Sequence, residues 1–154
     1  MSKLYLTYVL ALCFSNSVYA HESTGDVNKI LFQGIESIPA KVVVDFHNAL
    51  KSSKKDEVFK LLEESVLIYE GGGVERSAKE YSSHHLLADM AFMSKMEVEL
   101  IEHQVTIYSN IAISSSRSII RGKYKGKVIE KTNMETIVLR KINGKWKIIN
   151  IHWS

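Results

Sequence analysis

Between Tyr69 and Asp89 the chain gathers Glu70, Glu75, His84, His85 and Asp89 around Gly71-Gly72-Gly73. Carboxylates and imidazoles move protons near neutral pH and ligate borderline metal ions. Glu70, at a strand end beside the glycine turn, is the leading candidate among them for a functional carboxylate. The alternative is an exposed acid beside a glycine turn. His85 and Asp89 are four residues apart on one helix face, the spacing for a carboxylate-oriented imidazole. Tyr81 lies on the same side and is a candidate ligand contact. His84 and His85 are neighbours and point about 100° apart, so one can face inward while the other meets solvent. Glu75 and Arg76 stand before the helix start, where an acid is favoured by the helix dipole. A divalent metal held by Glu70, Glu75, His84 or His85, and His152 is a further reading. Histidine with carboxylate suits zinc, copper or iron, although the spacing matches no HExxH motif.

Three more side chains interrupt apolar patterns nearer the C-terminus. His152 is in period with Trp146, Ile148 and Asn150, and His103 with Ile101, Val105 and Ile107, so each is a candidate inner histidine. Arg117 sits among Ser114-Ser115-Ser116 and Ser118. It either binds an anionic ligand within the fold or lies on the opposite face in a dimer contact.

The elements that must position these groups follow from periodicity. Pro39 opens a helix at its tolerated first turn, and Val42, Val43, Phe46, Ala49 and Leu50 form its core stripe. Lys54 to Leu62 makes a second short helix, and Val66 to Tyr69 a strand ended by the glycines. Ser77-Ala78-Lys79-Glu80 is a capping box opening a helix that runs to about Met93 and is apolar nearly all round. From Glu97 the period becomes two. Four strands are expected near 97–109, 111–124, 126–140 and 145–153, with turns at Asn110, Lys125-Gly126 and Asn143-Gly144. Leu100-Ile101 breaks the alternation and predicts a bulge. Helices followed by a meander predict an α+β domain.

The N-terminus reads differently. Lys3, the apolar run Leu4 to Phe14, and Val18-Tyr19-Ala20 form an export signal over residues 1–20, too short for a membrane span. The mature chain then begins at His21, in the periplasm or secreted, with no membrane association. A free amine and imidazole at His21 would together chelate copper. Residues 21–37 read as an N-terminal arm with a short helix near Val27 to Phe32, and 38–154 as the domain. Cys13 is the only cysteine among the 154 residues, so the mature chain relies on its core rather than on disulfides. Losing Lys3 leaves 19 basic residues against 17 acidic ones, too even a balance to imply a nucleic-acid partner.

These elements, with helix Val42–Leu50, the strand end Tyr69-Glu70, Gly122 and Gly126 at the middle hairpin, and the ending Gly144-Lys145-Trp146-Lys147-Ile148-x-x-x-His152-x-Ser154, resemble the nuclear transport factor 2-like superfamily, in particular its SnoaL-like branch. The resemblance covers about Ile38 to Ser154. It implies a cone-shaped curved antiparallel sheet with the N-terminal helices packed on its concave face, a pocket for a small-molecule ligand, a wall contributed by the last strand, and a homodimer. Laid against ketosteroid isomerase, Glu70 stands where that enzyme has its general-base aspartate. Phe46 stands where it has its oxyanion tyrosine, so Phe46 becomes a candidate ligand contact and half of that mechanism is missing. Fold alone does not choose among activities. Three functions are expected to compete: a ligand-binding pocket protein, an isomerase, cyclase or dehydratase with Glu70 as base and His85 or His152 as partner, and a metal-binding protein.

Overall fold

Ser37 starts the first long helix by accepting a hydrogen bond from the Ala40 N–H at 3.4 Å, with Pro39 in the first turn. In the computed structural model, which describes residues 29–154, this helix (α1, Ile38–Lys51) ends where Ser53 takes a positive φ. The expected export signal and His21 lie outside the described residues. The stripe Val43, Phe46, Ala49 and Leu50 is buried, as its helical spacing predicts. A second helix (α2, Lys55–Leu61) adds Val58 and leads directly into strand β2 (Leu62–Glu70).

Ahead of α1, residues 29–31 are helical and β1 (Phe32–Gln33) follows. Gly34 has φ +66°, and a Cβ there would run into the Val105 carbonyl oxygen. Only glycine combines that backbone with so close an approach, and so the arm can lie against the sheet.

Gly71 and Gly72, at φ 56° and 83°, turn β2 back into the short strand β3 (Gly73–Glu75). Ser77 then caps α3 (Ala78–Ser83) by accepting from the Glu80 N–H at 3.0 Å. The Glu80 carboxylate reaches back to the Arg76 N–H, one residue before the cap, at 2.6 Å. The single helix expected to Met93 is divided: α3 stops at Ser83, and α4 spans Leu86–Met93. Ser82-Ser83-His84-His85 is a run of weak helix formers, so the chain yields there in favour of packing.

The remaining strands are β4 (Met96–Tyr108), β5 (Ile111–Tyr124), β6 (Lys127–Ile142) and β7 (Lys145–Trp153), within a few residues of expectation. Lys125-Gly126 and Asn143-Gly144 have positive φ at both positions, the primed turn that suits twisted hairpins. The spatial order is β1-β4-β5-β6-β7-β2-β3. The meander pairs are antiparallel, while β1 with β4 and β2 with β7 are parallel. The expected bulge lies between Leu100 and Glu102. A second one follows Ile148: Leu139 pairs with Ile148 and Val138 with Asn150, which leaves Ile149 as an extra residue in β7. The curved sheet stays open, and α1 packs on its concave face. There Phe46 and Leu50 join Val66, Ile68, Ile137, Leu139, Ile148 and Ile151 in one core.

Candidate ligand-binding cavity

Cross-strand pairing lines up one row across the concave face. Glu70 is opposite Trp153, Trp153 opposite Glu135, Glu135 opposite Ser116, Ser116 opposite His103, and His103 opposite Phe32. Over part of this row, between the sheet, α1 and α4, lies a cavity of about 310 Å³. Its walls combine apolar Val44, Leu50, Phe92, Leu100, Ile120 and Trp153 with Glu70, Asp89, His47, Glu135, Ser116, Ser118 and Asn133; Lys51 and Lys131 also line it.

One polar end is acidic. Glu70 is in phase with the buried Val66 and Ile68, so its side chain belongs to the concave face. Burial and the neighbouring Asp89 carboxylate push its pKa up against the pull of Lys131 and His85. Asp89 is also raised by burial, although it accepts a hydrogen bond from the Tyr81 hydroxyl at 2.7 Å. Burial and Asp89 hold the Tyr81 phenol far above its ordinary value, so it stays a neutral donor. Glu75 is buried and pairs with His85 Nδ1. That bond and charge raise His85, whose ring is mostly exposed.

The other polar end was not expected from the sequence. Glu135 is 4% exposed. It accepts from Trp153 Nε1 at 2.6 Å and from Ser116 Oγ at 3.4 Å, and it pairs with His47 Nε2 at 3.0 Å. Burial alone would raise Glu135, but the His47 charge and these donors hold it below the ordinary carboxylate value. Burial alone would lower His47, but the attraction and hydrogen bond of Glu135 outweigh it and raise the imidazole. When His47 is protonated the two form an ion pair in the cavity wall, with Nε2–H donating.

Each residue singled out from the sequence has a definite place. Glu70 and Asp89 line the cavity together. His85 binds Glu75 behind them, and Tyr81, fully buried, supports Asp89 from the core. Phe46 is also fully buried; its ring stacks on Trp153 with centroids 6.3 Å apart and meets the His47 ring edge-on. His84 is exposed where α3 ends. His103 is buried and bonded to Ser114 Oγ at 2.9 Å, and burial lowers its pKa. Arg117 takes the outer face, 3.8 Å from Glu102, because Ser116 and Ser118 on either side of it face inward. The second bulge moves His152 as well. It reverses the alternation after Ile149, so Ile151 and Trp153 turn inward while His152 pairs with Tyr69 on the outer face. Among the described residues no three histidine, cysteine, aspartate or glutamate side chains are grouped as a metal-ligand set.

His47 and Glu135 had local signals, whereas Trp153 enters the wall only through the bulge at Ile149. Glu135 is in phase with Ile137 and Leu139, an acid in a row of core residues. His47 falls four residues after Val43 and three before Leu50 on the core side of its helix.

Residues 40–154 match the model of the SnoaL-like domain family. Among solved structures, the chain is similar to a Shewanella frigidimarina NCIMB 400 protein provisionally named a ketosteroid isomerase. Identity is 48%, coverage 80% of this chain and 99% of that one, and the TM-score 0.78. A nuclear transport factor 2-like superfamily protein from Salmonella enterica shares the fold at 16% identity, over 74% of this chain and 85% of that one, with TM-score 0.63. The association domain of CaMKII from C. elegans does so at 15% identity, over 75% and 91%, with TM-score 0.60. No curated protein matches significantly.

Proposed function

Because the chain belongs to the SnoaL-like domain family, we propose that it binds a small, largely apolar molecule in the cavity between sheet and helices. The protein is one whose first twenty residues are expected to direct it out of the cytoplasm. The observation that carries the reading is the cavity itself: apolar walls and a few converging polar groups at two ends are the usual make-up of a small-molecule site. Trp153 lies in the wall and is one of only two tryptophans, which provides a direct readout. Titrating the protein with 2-naphthylmethanol is expected to change tryptophan emission saturably in wild type, and Trp153→Phe is expected to lose most of that change. No saturable response in wild type, by fluorescence or calorimetry, would remove the proposal.

A second reading, acid–base chemistry on the bound molecule, is favoured by one observation: the raised pKa of Glu70 beside a second raised carboxyl, Asp89. Such a group can take a proton from a ligand and return it. The name carried by the Shewanella protein suggests isomerisation of a steroid ketone. Against that chemistry here stand Phe46, which has no hydroxyl, and Tyr81, whose hydroxyl is committed to Asp89. For whatever reaction is found, Glu70→Gln is expected to lower turnover by at least a hundredfold with the melting temperature retained.

We also propose that two copies associate through the outer face of the sheet, where Leu67, Tyr69, Ile113 and Met134 are exposed. The C. elegans neighbour is named an association domain, and that name alone supports the reading.

A further inference from the structure

The basic end of the cavity has no role in the chemistry assigned so far. His47 and Lys51 are four residues apart on α1, share a face, and both line the cavity. His47 Nε2 is held by Glu135, which is itself fixed by Trp153 and Ser116. Among the described residues, the other ring nitrogen of His47 has no protein partner, and no carboxylate stands within ion-pair distance of Lys51. Glu135 thus sets the orientation of the imidazole and leaves its second ring nitrogen for something else. Glu70 stands two strands away from Glu135, roughly 10 Å at the usual strand spacing, with Trp153 between. An anionic group is therefore kept away from the acidic end.

From this geometry we infer that the ligand is a small, largely apolar carboxylic acid, whose carboxylate is anchored by His47 and Lys51 and whose apolar body lies against Leu50, Leu100, Ile120 and Trp153. The inference rests on the reading of the cavity as a small-molecule site, and names the class it selects. Anion recognition, one of the two roles that the sequence offered Arg117, passes to the helix, since Arg117 faces away. Glu135 is a positioning residue here and not itself a ligand contact.

The test compares two probes of the same shape, 2-naphthoate and 2-naphthylmethanol, by isothermal titration of the full-length protein. A charge-assisted hydrogen bond predicts that wild type prefers the carboxylate by about tenfold or more. His47→Gln with Glu135→Gln keeps an uncharged hydrogen-bonded pair, and Lys51→Met changes an exposed helix position that cannot disrupt the core. In the double variant the preference should fall to about one, and in Lys51→Met it should fall severalfold. A wild-type preference near one would overturn the carboxylate class. A strong preference unchanged in both variants would overturn the anchor. If neither probe binds wild type, the cavity reading fails and this inference fails with it.

Discussion

Glu135 and His47 illustrate how a buried charge is tolerated when every neighbour supports it. The glutamate loses its water but receives an imidazolium, an indole N–H and a hydroxyl. The linkage has a definite sign. His47 is raised above 6.5, so its share of stability is complete below pH 6.5 and lost as the pH climbs through the folded value. Glu135 is lowered from 4.5, so its share is complete above pH 4.5 and lost as the pH falls through the folded value. The pair therefore contributes most between about pH 4.5 and 6.5. His47→Leu leaves the glutamate buried without its cation and is expected to cost about 3 kcal/mol within that window. Urea unfolding across pH reads this directly, and a pH-independent difference would contradict it. Glu70 and Asp89 have the opposite tendency: both are raised, so their ionisation near neutral pH opposes folding.

At the scale of elements, most boundaries were legible because their signals are local. Caps, paired turn residues and the period-two strands depend only on neighbours in the chain, and all reappear in the fold. The break between α3 and α4 and the bulge at Ile149 were missed for the same reason in reverse. Ser82 to His85 are weak helix formers, but weak propensity by itself does not end a helix, and nothing local distinguishes Ile149 from a regular strand residue. Each irregularity re-aims side chains: the first brings His85 to Glu75, and the second exchanges His152 for Trp153 in the cavity wall. Gly34 supports a prediction at this scale. Gly34→Ala would force a Cβ into the Val105 backbone at a positive φ, so β1 should separate from β4. Amide exchange along β4 near His103 is expected to accelerate at least tenfold while that of β6 and β7 stays unchanged. Equal protection in the variant would show that the arm tolerates the side chain.

For the molecule as a whole, the open sheet poses the question of what meets its outer face. Among the described residues, α1 packs on the concave side, and Leu67, Tyr69, Ile113 and Met134 are exposed on the outer face. A second copy packed there would remove this apolar surface from water. Light scattering at micromolar concentration is expected to give twice the chain mass, and Met134→Lys with Ile113→Lys is expected to shift it toward one. A wild-type monomer would contradict the association. In the dimer, residues of the outer face such as His152 and Arg117 would have an assembly role, distinct from the cavity.

By itself the sequence determined the class of fold, the helices-then-meander order, the position of the first bulge and the carboxylate at the end of β2. These depend on spacing, capping and turn chemistry, which act over a few residues. The membership of the cavity was decided only in the folded chain. His47, Glu135 and Trp153 are far apart along the sequence, and they meet because strand register and the docking of α1 bring them together. Register is set by the burial of whole sheet faces, and a single extra residue at Ile149 reverses which side chain points in.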